Sequence, residues 1–110
     1  MPQQEFREPT FLVLAALAEG PQHGYGLIRE VETMSRGRVT LRAGTLYAAL
    51  ERLAGDGLVA ESGQEVVEGR LRRYYSLTDF GAEALGKEIE RMRENANQAA
   101  SRLRSREAPA

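Results

Sequence analysis

Residues 69–81 read GRLRRYYSLTDFG, which places three arginines and two tyrosines in six residues and then a threonine where a helix would be capped. In an extended strand Leu71, Tyr75 and Leu77 share one face, with Arg73 at its outer end, while Arg70, Arg72, Tyr74 and Ser76 share the other. The first face is suited to lie on helices. The second projects cations. Formal net charge over the 110 residues is −1, so the chain has no general attraction for polyanions and the positive charge must act through its placement. Duplex DNA is the partner this strand predicts.

Working outward, LVAES (58–62) and RLRRYYSL (70–77) read as two strands joined by an acidic, glycine-bounded loop over 63–69. Glu61, Glu65 and Glu68 sit on that hairpin and limit its affinity for an anion. Thr78 is a good N-cap with Asp79 favourable in the first turn, and the helix it opens extends to about residue 104. Along it Leu85, Ile89, Met92, Ala96, Ala99 and Leu103 recur at heptad spacing, the pattern of a coiled-coil seam. Nothing else in the chain is left to cover that seam, so it predicts pairing with its equivalent in a second subunit.

Before the hairpin, AGTLYAALERLAGDG (43–57) predicts a helix that turns Leu46, Leu50 and Leu53 inward, with Ala49 beside them. Its outer face of Gly44, Ala48, Glu51 and Gly55 is unusually small, with Thr45 and Arg52 on one flank and Tyr47 on the other. Small residues allow a helix backbone to come close to something large. HGYGLIREVETMS (23–35) predicts another helix, its stripe Leu27, Ile28, Val31 and Met34, with Tyr25 on the exposed side. RGRVTLR (36–42) reads as a basic, extended connector ending in Arg42. The first helix, over 11–19, is apolar all round, including Phe11 and Leu14, and stops at Gly20-Pro21; a helix of that kind is buried on all sides. Residues 1–8 are polar and expected to be loose.

Other functions fit poorly. The chain has no cysteine and one histidine, His23, so neither a thiolate metal site nor a nucleophile–base pair is visible. His23 suits a structural role in the turn before its helix. No enzyme activity, cofactor or metal is expected. The longest apolar run, FLVLAALA (11–18), is far short of a membrane span. The residues before it carry Glu5 and Glu8 against Arg7, unlike a secretion signal. A cytoplasmic protein with no membrane partner is the expectation.

The order helix–helix–helix–hairpin–long helix predicts a mainly α fold with a two-stranded β wing, a winged helix-turn-helix. Residues 1–77 would form the DNA-binding domain, and 78–110 the dimerisation helix and tail. Three blocks, AEGPQHGYGLIREVE, LRAGTLYAALERLAGDGLV and GRLRRYYSLTDFGAEAL, resemble the signature blocks of PadR-type transcriptional regulators in order and spacing, over about residues 11–85. The resemblance implies a homodimeric winged helix of the subfamily with a single C-terminal helix, mostly repressors, acting on a roughly palindromic operator. It places Tyr25, Thr45, Tyr47, Arg70, Arg72 and Arg73 on the DNA face. The helical wheel adds Ala48, Glu51 and Arg52 as base readers beside Thr45, and Arg42 ends the basic connector.

Some members of that family bind aromatic or lipophilic effectors at the dimer interface, several of them using tryptophan, which this chain lacks. Phe11, Leu14, Ile89 and Met92 are read first as dimer core and second as the lining of such a pocket. Two rival readings remain. One is a winged-helix interaction module without DNA binding; the other is a sensor whose ligand site sets its biology.

Overall fold

The computed structural model describes residues 5–107. It contains α1 (Glu8–Leu17), β1 (Gln22–His23), α2 (Gly24–Met34), α3 (Ala43–Gly55), β2 (Val59–Val67), β3 (Arg70–Leu77) and α4 (Asp79–Glu107). The architecture is mainly helical, with one antiparallel sheet in the order β1-β3-β2 and a long C-terminal helix, which is the winged-helix arrangement.

Leucine spacing builds the centre. Leu27 and Val31 of α2 meet Leu46, Leu50 and Leu53 of α3, and Val13, Leu14 and Leu17 of α1 close over them. Leu58, Val59 and Tyr75 at the root of the hairpin and Leu85 of α4 complete the cluster. Each such side chain contributes about 1.5–3 kcal/mol on burial. Met34, expected on the stripe of α2, is instead exposed at that helix's last turn.

The connector after α2 is not extended throughout. Arg36 and Gly37 both adopt positive φ, closing a turn in which buried Ser35 accepts the Val39 N–H through its Oγ at 3.0 Å. Arg38 leaves the turn to donate to Glu8 Oε1 at 2.7 Å, so this arginine is neutralised at the start of α1.

The hairpin also departs from expectation. β2 continues through the segment expected to be loop, pairing Glu65 with Arg72 and Val67 with Arg70 across a bulge at Ser62. The connection is only Glu68-Gly69, both at positive φ, as a two-residue type I′ turn requires. A third strand, β1, pairs Gln22 with Tyr75 and His23 with Tyr74. The hairpin outruns the helical layer beneath it. Tyr75 and Leu77 therefore lie on the helices, whereas Leu71 is 52% exposed and its cross-strand partner Val66 70% exposed.

Residues 5–8, the described part of a segment expected to be loose, are held in place. The Phe6 N–H donates to Glu88 Oε2 at 3.0 Å, and Glu88 is buried while gripped by Arg91 through bonds of 2.6 and 2.9 Å. The Arg91 guanidinium, helped by the Phe6 N–H and opposed by burial, holds the Glu88 carboxyl below the usual range.

The first turns of α4 bury Gly81, Leu85 and Glu88 against the body. From Met92 to Glu107 every residue but Ala100 is exposed. That segment gives the molecule its 68 Å long axis.

Candidate nucleic-acid interface

The start of α2 is where the three sequence blocks meet. His23 caps the helix, its Nδ1 accepting the Gly26 N–H at 3.2 Å, which satisfies one of the helix's open donors. The same imidazole stands edge-on to the Tyr74 ring, centroids 5.5 Å apart. Gly24 follows, and the hydroxyl of Tyr47 from α3 lies in the space that any side chain there would need. Two neighbouring residues thus contact both the wing and the third helix. The requirement for glycine at position 24 was not deduced from the sequence, where nothing paired it with Tyr47.

Next to this junction Tyr25 is 65% exposed, as its wheel position predicts, with the Arg29 guanidinium 5.9 Å from its ring. On α3, Leu46, Leu50 and Leu53 are buried, and Gly44, Thr45, Tyr47, Ala48, Glu51, Arg52 and Gly55 are exposed. The outer face is small and open. Arg42 occupies the N-cap position with no side-chain bond to the helix.

On the wing, Arg70, Arg72 and Tyr74 share a face with Glu65, which stands opposite Arg72. Tyr74 donates its hydroxyl to Glu65 Oε2 at 2.8 Å, and that carboxylate pushes the phenol's pKa upward. The acid is therefore engaged by a tyrosine. Arg73 projects from the opposite face, near exposed Leu71. Arg42, Arg52, Arg70, Arg72 and Arg73 have no ion pair among the described residues, whereas Arg38 and Arg93 each have one and Arg91 has two.

The side chains expected at a subunit interface divide into two groups. Leu14 is fully buried and Leu85 nearly so, so the chain's own core takes up both and neither offers surface to a partner. Phe11 and Ile89 are half-buried. Met92, Ala96, Ala99 and Leu103 are exposed in one row along the free half of α4.

The sequence profile described as "Transcriptional regulator PadR-like family" matches residues 13–87. The chain belongs to that family. PadR-family proteins are transcriptional regulators, not enzymes. The transcriptional regulator Rv3488 of Mycobacterium tuberculosis is 42% identical over 73 residues, covering 66% of this chain and 64% of that protein. The PadR-like chain spans 23% to 64% of the length of the curated relatives it matches. A PadR family transcription regulator from Clostridium difficile superposes with a TM-score of 0.72 at 24% identity, over 88% of this chain and 99% of that one. Bacillus subtilis PadR in complex with operator DNA superposes at 0.67 with 19% identity, over 76% and 48% respectively. At those identities the superpositions establish the PadR winged-helix fold. No helix among the described residues is long and apolar enough to cross a membrane.

Proposed function

We propose that this chain is a homodimeric, sequence-specific DNA-binding repressor that acts on a roughly palindromic operator. The observation that carries the reading is the small, open outer face of α3 beside a hairpin of arginines without ion pairs. In this reading α3 enters the major groove and the wing lies along the backbone. Tyr25, Arg42, Tyr47, Arg70, Arg72 and Arg73 bond phosphates, which sets register without reading sequence. Thr45, Ala48, Glu51 and Arg52 meet base edges: Arg52 toward guanine, Glu51 toward a cytosine amine, Ala48 toward a thymine methyl. With so few long side chains on the helix, DNA shape supplies part of the specificity.

Dimerisation follows from α4. A solvated helical half of this length is marginal alone, and its exposed row of Met92, Ala96, Ala99 and Leu103 suits a paired helix. Residues 78–110 are thus the dimerisation helix and tail, with 1–77 as the DNA-binding domain. Relief of repression by a small apolar or aromatic effector belongs to the same reading. Phe11, Ile89 and Met92 are the surface left for it; Leu14 is not available.

The test is selection of bound sequences from a random duplex library by the purified chain, at two salt concentrations. The expected result is a two-fold symmetric motif with half-sites about one helical turn apart, and affinity that falls steeply with salt. Changing Arg72 and Arg73 together to alanine should weaken binding and flatten that salt dependence. No enrichment, with copurification of a different regulator, would favour the interaction-module reading.

A further inference from the structure

A groove of about 470 Å³ lies between the N-terminal end of α1 and the flank of α3. Arg7 and Thr10 line one side, and Thr45, Ala48 and Arg52 the other, over a floor of Val13 and Leu41. Thr45, Ala48 and Arg52 are the side chains read above as meeting base edges. The groove is therefore continuous with that face, and Arg7 is the cation on its far wall.

The arm that carries Arg7 is fastened on both sides. Glu5 is 4.0 Å from Arg91 and Glu8 is bonded to Arg38, while Phe6 between them is tied to Glu88. The acids flanking Arg7 are thus already offset by other cations. Arg7 itself has no ion pair among the described residues, and it makes no side-chain cap to the helix it precedes. The groove continues into a second cavity bounded by Glu5 and Asp56; the Asp56 carboxylate directs an anion toward the Thr45 end.

From this we propose that the N-terminal arm is a separate clamp on the DNA backbone. A phosphate of the strand beside α3 enters the groove and is held by the Arg7 guanidinium and the Thr10 hydroxyl. Arg52 on the opposite wall raises the local positive potential. The proposal rests on the DNA-binding reading above and adds a contact on the side of α3 away from the wing. Because it engages phosphate, it contributes equally on any sequence.

The test compares the wild-type chain with Arg7→Ala and Arg7→Lys, on the selected operator and on a random-sequence duplex, across a salt series. Arg7→Ala should lose affinity by a similar factor on both duplexes, about three- to tenfold, and reduce the salt slope by about one. Arg7→Lys should keep the slope. Arg7 is exposed, so both variants should unfold at the wild-type temperature. If the wild type binds and Arg7→Ala keeps its affinity and slope, the clamp is refuted while the helix and wing reading stands. A loss confined to the operator with no change of slope would also refute it, since that would mean base reading or displacement of α3. A small organic acid that protects Arg7 from modification in a wild-type chain that binds no duplex would overturn both readings.

Discussion

Replacing Gly81 with alanine should destabilise the protein even though the position is helical. In an ordinary helix interior glycine to alanine gains about 1 kcal/mol. At Gly81 an added Cβ falls on the carbonyl oxygen of Leu58 and 2.8 Å from Leu77 Cδ1. That carbonyl accepts the Thr78 N–H at 3.1 Å, the bond that joins the end of the hairpin to the residue before it. Forcing a methyl into a packed site costs about 1–3 kcal/mol, and a weakened backbone bond about 1 more. Set against the helical gain, the net loss is about 1–3 kcal/mol, or a melting temperature lower by about 5–20 °C for a domain of this size. Gly86→Ala provides the internal control: it is exposed and its Cβ would meet nothing within 4 Å, so it should gain about 0.5–1 kcal/mol. The assay is thermal unfolding followed by circular dichroism, with all three proteins at one concentration because self-association would shift the midpoint. Gly81→Ala melting at or above the wild type would refute the reasoning, for then the close approach of α4 to Leu58 is not a constraint.

Other expectations concern separate parts of the molecule. Glu88 has its folded pKa depressed, so its contribution is present above the unfolded value of 4.5 and is lost as pH falls below it. The wild type should therefore lose more stability than Glu88→Gln on acidification through that range, measured as melting temperature against pH. Leu103→Glu places a charge at the far end of the exposed seam of α4. Sedimentation should show a shift toward monomer with the winged-helix fold retained by circular dichroism. Gly24→Ala should leave the melting temperature within a few degrees, since the end of the Tyr47 side chain can move. It should weaken operator binding about tenfold, equivalent to one phosphate hydrogen bond of about 1.4 kcal/mol, as read by mobility shift.

Much of this was legible in the sequence where periodicity is strong. The leucines of α3 occupy the face their spacing predicts, and Met92, Ala96, Ala99 and Leu103 share one exposed row of α4, with Leu85 drawn into the core. The first helix is buried on one side only: Val13, Leu14, Ala16 and Leu17 enter the core, whereas Phe11 and Leu12 stay half-buried. Local patterns failed where long-range partners decide. β1 is two residues long, too short for any period, and exists because Tyr74 and Tyr75 offer an edge. The acidic stretch of β2 resembles a loop in composition, yet pairing with β3 and the Glu68-Gly69 turn make it strand. Glu88 reads as a solvated helix position and is buried because residues 5 and 6 return to cover it. Leu14 was assigned to an interface for the same reason: its burial within the chain depends on contacts distant in sequence. At the proposed interface, exposure of Tyr25 and of the outer face of α3 followed from the wheel. Arg7 was passed over because an arginine among glutamates carries no pattern of its own.

The Thr78 junction has a mechanical consequence. Its hydroxyl donates to the Gly57 carbonyl at 2.6 Å and accepts the Gly81 N–H at 2.9 Å, so the loop after α3, the base of the wing and the first turn of α4 are pinned at one point. α4 is thereby geared to the surface that carries α3 and the wing. With a lever of roughly 43 Å, a tilt of about 5° sweeps its far end through about 4 Å, close to the rise of one base pair. Coarse displacement at the tip becomes fine rotation at the pivot, as in a vernier.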